Sequence, residues 1–132
     1  MDNEAALVNA FVVPTKRARL VEFLRTPKRR KKVLDSLYHF RDFDPRFLVK
    51  IALSDQRADT IAALLGQRGA PAKCHVISTN RELDGRDLPL VEALSRIVGL
   101  GQGALVSCIP GRLGYFEGES PADRFILERP PA

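Results

Sequence analysis

The chain has 132 residues, 45% of them hydrophobic and 28% charged, a composition that supports a packed core and excludes a disordered, collagen-like or disulfide-scaffolded protein. Its length is that of one folding unit, so the reading is a single α/β domain over 1–132, with a basic helical segment at 1–45 and a sheet-containing body at 46–129. The net charge of +5 is uneven: residues 1–50 hold 12 Lys or Arg against 6 Asp or Glu, while the remainder holds 9 against 10.

The opening Met1-Asp2-Asn3-Glu4 lacks the basic start of a signal peptide, and no apolar run approaches the ~20 residues of a membrane span. A cytoplasmic protein with no membrane partner is therefore expected. Cys74 and Cys108 each lie in an apolar run and read as small buried hydrophobes rather than as a disulfide.

Glu4 to Val13 reads as a short helix or docking arm that ends at Pro14. Thr15 is placed to cap a second helix, on which Leu20, Val21, Phe23 and Leu24 form one apolar stripe. Thr26-Pro27 opens a third, because a threonine oxygen can accept from free backbone N–H groups and proline suits the first helical turn. That helix should continue through Val33, Leu34, Leu37, Tyr38 and Phe40 and end before the Asp44-Pro45 turn.

From Arg46 the apolar period changes to two, predicting a strand with Phe47, Val49, Ile51 and Leu53 on one face. A helix bearing Ile61, Leu64 and Leu65 follows, then a strand over Lys73 to Ser78, a polar loop over Thr79 to Asp87, and a helix over Pro89 to Val98 that Asp87 is placed to cap. Ala104 to Ile109 reads as the third strand, and Gly99, Gly101 and Gly103 as a link before it. Those glycines follow a helix and precede a strand, the reverse of a dinucleotide loop.

This alternation predicts N-terminal helices followed by a β-α-β-α-β unit with a mostly parallel sheet, since near-continuous apolar strands favour burial between helices. Pro110-Gly111 fits a type II turn and predicts an antiparallel edge hairpin through Arg112 to Glu117; because type II turns match strand twist poorly, either a loop longer than two residues or a bulge at Gly114 is expected. Arg124 to Glu128 supplies a last strand.

Two constellations carry chemistry. Lys28-Arg29-Arg30-Lys31-Lys32 places five cations at a helix start, where the helix dipole already disfavours positive charge. A bound anion would explain that placement, and Lys16, Arg17 and Arg19 on the preceding helix would widen the surface. The partner expected is RNA or DNA, held through phosphates, because Asp35, Ser36 and His39 are few groups with which to read bases. Tyr38, Phe40, Phe43 and Phe47 read as core. The plain alternative for the basic run is a solvated face.

The second constellation gathers Ser54, Asp55, Arg57, Ser78, Thr79, Asn80, Arg81, Glu82, Asp84 and Arg86 at the carboxyl ends of the first two strands. In a parallel sheet those ends form a ligand crevice, giving an alternative reading as a small enzyme or metabolite-binding domain. The same residue types are common turn and cap formers. A third reading is a homodimeric interaction module joined through Arg112 to Glu117 or the apolar N-terminal segment.

With no Walker loop, nucleophile elbow or paired-cysteine motif, and only His39 and His75 as histidines, no catalytic residue, metal or cofactor is assigned. His75 reads as a surface or hydrogen-bonded histidine rather than the partner of a nucleophilic cysteine. The leading expectation is a non-catalytic binding protein that contacts a polyanion through its basic helices.

Overall fold

The structure, a computed structural model, describes residues 2–130. One six-stranded sheet runs in the order β1-β6-β5-β4-β2-β3, formed by β1 (Leu48–Lys50), β2 (Lys73–Ser78), β3 (Asp87–Pro89), β4 (Ala104–Ile109), β5 (Leu113–Glu117) and β6 (Arg124–Glu128). Helices α1 (Asn3–Phe11), α2 (Pro14–Arg25) and α3 (Pro27–Ser36) cover one face, and α4 (Ala58–Gln67) and α5 (Leu90–Ile97) the other. No helix among the described residues is long and apolar enough to cross a membrane.

Every neighbouring pair of strands is antiparallel, which overturns the mostly parallel sheet expected from the alternation of elements. The cause is one three-residue strand. β3 pairs back on β2, with Cys74 opposite Leu88, and inserts a reversal between β2 and β4 that the β-α-β reading lacked. β4 therefore returns antiparallel to β2, with Val76 opposite Val106. Asp87 belongs to this strand and caps nothing; α5 begins after Pro89 with no side-chain cap.

The continuity of apolar residues came from burial on both faces, which strand direction does not require. Along β4, Ala104, Val106 and Cys108 pack with Ile61, Leu65, Ala93 and Leu94 beneath α4 and α5. Leu105 points the other way, with Leu7, Val8, Phe11 and Leu37 beneath α1 to α3.

The hairpin after β4 turns through Pro110-Gly111 as expected, with Gly111 at φ +73° and the Arg112 N–H donating to the Ile109 carbonyl at 2.9 Å. The bulge lies between Ser107 and Ile109, opposite the Gly114 position. β5 is no edge: it lies between β4 and β6. Leu7, Val8 and Phe11 of α1 are equally interior, so both surfaces considered for dimer contact are occupied by the chain itself.

β1 is shorter than its period-two pattern because short 3₁₀ turns at Pro45–Phe47 and Leu53–Asp55 consume both ends. Asp44 caps the first by accepting from the Arg46 N–H at 3.0 Å. Neither threonine caps a helix. α2 begins at Pro14 rather than after Thr15, and the Thr26 hydroxyl donates back to the Glu22 carbonyl at 3.4 Å.

The glycine link before β4 has a structural role that spacing alone concealed. Fully buried Glu117 accepts from the Gly99 and Gly101 N–H groups at 3.1 and 2.9 Å and from the Tyr115 hydroxyl at 2.7 Å. Both glycines have positive φ, the left-handed conformation that aims successive N–H groups at one acceptor. Gly103 packs so tightly on the turn after α3 that a β-carbon there would lie 2.5 Å from the Leu37 β-carbon.

Two glycine-to-alanine changes should therefore act oppositely. Gly103→Ala is expected to lower stability by about 1–3 kcal/mol through overpacking, whereas Gly66→Ala, in α4 with open space around it, should raise it by about 0.5–1 kcal/mol. Urea denaturation of both variants checks the pair.

Candidate functional site

The basic run does not form one face. α3 turns its residues apart, so Arg30 faces inward, Lys32 faces α2, and Lys31 faces the loop after β2.

Arg30 is saturated. Its Nε and Nη2 donate to Asp84 at 2.8 and 2.9 Å, its Nη1 and Nη2 to Glu4 at 2.6 and 2.9 Å, and its Nη1 also to the Leu24 carbonyl at 3.0 Å. These bonds use all five guanidinium donors. Arg29 pairs with Glu22 at 3.1 Å. Two of the five cations are thus answered by the chain's own carboxylates, and the anion sought at the helix start is in part internal. Among the described residues, no carboxylate pairs with Lys28, Lys31 or Lys32.

A groove of about 710 Å³ opens between α2, α3 and the segment that follows α3. Lys16, Arg19 and Lys32 supply its cations, and Leu20, Phe23 and Phe40 its apolar floor. Lys16 and Lys32 have no ion-pair partner among the described residues. Arg19 has none either, and its guanidinium rests over the Phe23 ring at 5.0 Å. Arg17 donates its Nε to the Val12 carbonyl at 2.8 Å and stands apart from the groove.

His39 and Arg41 also line the groove but carry partners, Glu119 and Asp123 respectively. Phe40 was read as core; it is half-buried and meets Phe43 edge-on at 4.7 Å, so one side braces the interior while the other reaches the groove. The sequence reading missed Phe23 as a site residue. Its signal was the i, i+4 spacing from Arg19, which places the two side chains together on one helix face.

The second constellation does not assemble. β1 and β2 point the same way, yet β6, β5 and β4 separate them, a gap of roughly 19 Å at usual strand spacing. Ser54 and Asp55 lie in the 3₁₀ turn after β1, far from the loop after β2.

Within that loop the polar groups of Ser78, Asn80, Glu82, Asp84 and Arg86 are already used. Asn80 accepts from the Glu82 N–H at 3.0 Å, Ser78 from the Asn80 N–H at 3.0 Å, and Asp84 from the Ser78 N–H at 3.0 Å. Glu82 pairs with Arg96 at 2.5 Å, and Arg86 donates to the Glu82 carbonyl at 2.7 Å. These are the turn-forming roles such residues commonly take.

His75 sits between two carboxylates, with Nε2 at 2.6 Å from Glu4 and Nδ1 at 2.7 Å from Asp87. Only the imidazolium can donate to both, and the hydrogen bond to Glu4 raises the His75 pKa above its ordinary 6.5 against the opposing effect of burial. Burial pushes Glu4 upward, but hydrogen bonds from His75 and Arg30 outweigh it and hold the carboxyl at about 2. Burial also lifts the Cys74 and Cys108 thiols to about 11 and about 12, so neither is a thiolate near neutrality. A cysteine nucleophile with a histidine base has no footing here.

Compared with protein-family models, curated proteins and solved structures, the chain has no match in any of the three.

The cluster fixes a pH window for stability. Glu4 stabilises the fold above its ordinary 4.5 and loses that contribution as pH falls toward about 2. His75 contributes fully below 6.5 and loses its contribution as pH rises through its elevated folded value. The contribution of this pair should be greatest between about 4.5 and 6.5. In His75→Gln the decline of Tm above pH 6.5 should flatten relative to wild type; an unaltered profile would show that the histidine does not titrate with folding.

Proposed function

We propose that the protein is a non-catalytic binder of nucleic-acid phosphates, held through the groove between α2 and α3 and the lysines beside it. The observation that carries this reading is the convergence of Lys16, Arg19 and Lys32 from two helices on one groove, where none of the three is ion-paired among the described residues and Asp42 is the one acidic side chain of the lining. Solvated lysines scattered over a surface repel one another and have no reason to meet, whereas a bound phosphate relieves the repulsion of several at once. Lys28 and Lys31 extend the positive surface along α3, and Lys31 shares a second cleft of about 350 Å³ with Arg81 on its other side.

Binding through phosphates accounts for the side chains present. Lysine is a point charge without the planar fork that reads a guanine edge, and it suits a charged backbone of any sequence. A cytoplasmic setting belongs to the same proposal, in keeping with two free, buried cysteines. Arg29 and Arg30 stand outside the binding set because their charges are spent on Glu22, Glu4 and Asp84.

Fluorescence anisotropy with a labelled oligonucleotide over a range of salt separates the two groups. Replacing Lys16, Lys28, Lys31 and Lys32 by Gln should weaken binding at low salt by more than about ten-fold and reduce the slope of log K against log salt by about 0.7–0.9 for each phosphate that is no longer neutralised. Tm should barely change. Arg30→Gln should instead lower Tm by on the order of 10 °C, since it strands two largely buried carboxylates. Wild-type protein that binds no nucleic acid at low salt, or a lysine variant that binds as well as wild type, would end the proposal.

A further inference from the structure

The groove holds more than a phosphate site requires. Phosphates need cations and N–H donors, yet the floor is built from Leu20, Phe23 and Phe40, half-buried side chains that pack on the core and leave apolar surface open to the groove.

The arrangement around Phe23 specifies what that is. Arg19 lies over the ring at 5.0 Å and Arg29, from the neighbouring helix, at 5.3 Å. Arg29 is held in place by Glu22. Arg19 has no hydrogen bond or ion pair among the described residues, so its guanidinium is supported by the ring while its own polar edge remains uncommitted. A guanidinium supported by an aromatic ring in this way offers a stacking surface for a nucleobase.

Bases in a duplex are covered above and below by their neighbours and cannot stack on such a platform; bases in an unpaired strand can. We propose that the groove takes an unpaired segment of nucleic acid, with one base stacked on Arg19 and adjoining phosphates met by Lys16 and Lys32. The inference rests on the nucleic-acid reading and narrows it from any phosphate backbone to single strands. The shared chemistry is a base on a phosphate backbone, and the contacts invoked are to base and phosphate alone, so RNA and DNA strands should bind alike.

The test compares full-length wild type, Arg19→Lys and Phe23→Leu against four labelled probes: a short oligouridylate, the matching oligothymidylate, a duplex of equal length, and inorganic polyphosphate. Arg19→Lys keeps the charge and removes the plane. It should weaken binding of both single strands about ten-fold while leaving polyphosphate and duplex binding and the salt slope unchanged, because base stacking disappears and every phosphate keeps its cation. Phe23→Leu should reproduce the direction of that loss with a circular dichroism spectrum like that of wild type. A strand carrying 2-aminopurine should be quenched by wild type and markedly less by Arg19→Lys.

Equal weakening on polyphosphate would assign the Arg19 guanidinium to phosphate contact and overturn the stacking assignment. So would an unaffected single strand, or a duplex bound as tightly as the single strands. In those outcomes binding that still requires Lys16 and Lys32 preserves the broader reading. Failure of wild type to bind all four probes removes both.

Discussion

Arg30 is the interaction on which the rest of the architecture depends. α3 begins with cations and has no acidic residue in its first turn, so the helix dipole and the side chains repel each other. Glu4 from α1 and Asp84 from the loop after β2 bring negative charge to that point and take up four of the guanidinium bonds. Through this one side chain α1, α2, α3 and the sheet edge share a fixed relation. The network continues through Glu4 to His75 and on to Asp87, so the charge that orients α3 also ties α1 to β2 and β3.

Such a hub has a consequence for the surface. A largely buried, fully bonded arginine contributes nothing to the field outside, and Arg29 is offset by Glu22. Of the run of five cations, only Lys28, Lys31 and Lys32 keep charge unanswered among the described residues, and Lys32 carries it to the flank of α3 that faces α2. Lys32 meets Lys16 and Arg19 there because Arg30 holds the rotation of the helix. The structural role of one residue in the run thus sets where the others point.

Several elements were legible in the residues alone. The strands Lys73–Ser78, Ala104–Ile109 and Arg124–Glu128 match their expected ranges, because five or six residues pressed between two helical layers are rich in apolar side chains on both faces. β3 was not legible: three residues with proline at one end and aspartate at the other read as a loop and a cap. That omission propagated into the wrong strand direction between β2 and β4, whereas the ligand crevice failed on strand order, because β6, β5 and β4 stand between β1 and β2. The site divided in the same manner. The basic run is visible by inspection, but the partners of Arg30 lie 26 and 54 residues away, beyond any local pattern.

A groove between two short surface helices can select a ligand only if its walls are fixed, and here they are. The two helices are joined by a single residue, Thr26, between α2 and α3. The floor is continuous with the core: Phe40 meets Phe43 at 4.7 Å, Phe43 meets Phe116 of β5 at 4.9 Å, and Gly103 seats the Leu37 turn directly on the chain entering β4. The Tyr38 carbonyl accepts from the Glu119 N–H at 3.1 Å, closing the far end against the loop after β5. Because these contacts are made during folding, little ordering of the groove remains for the proposed binding to accomplish, which would let weak point interactions from lysines act together. Without the aromatic column the same charges would stay in place but lack the surface that aligns them.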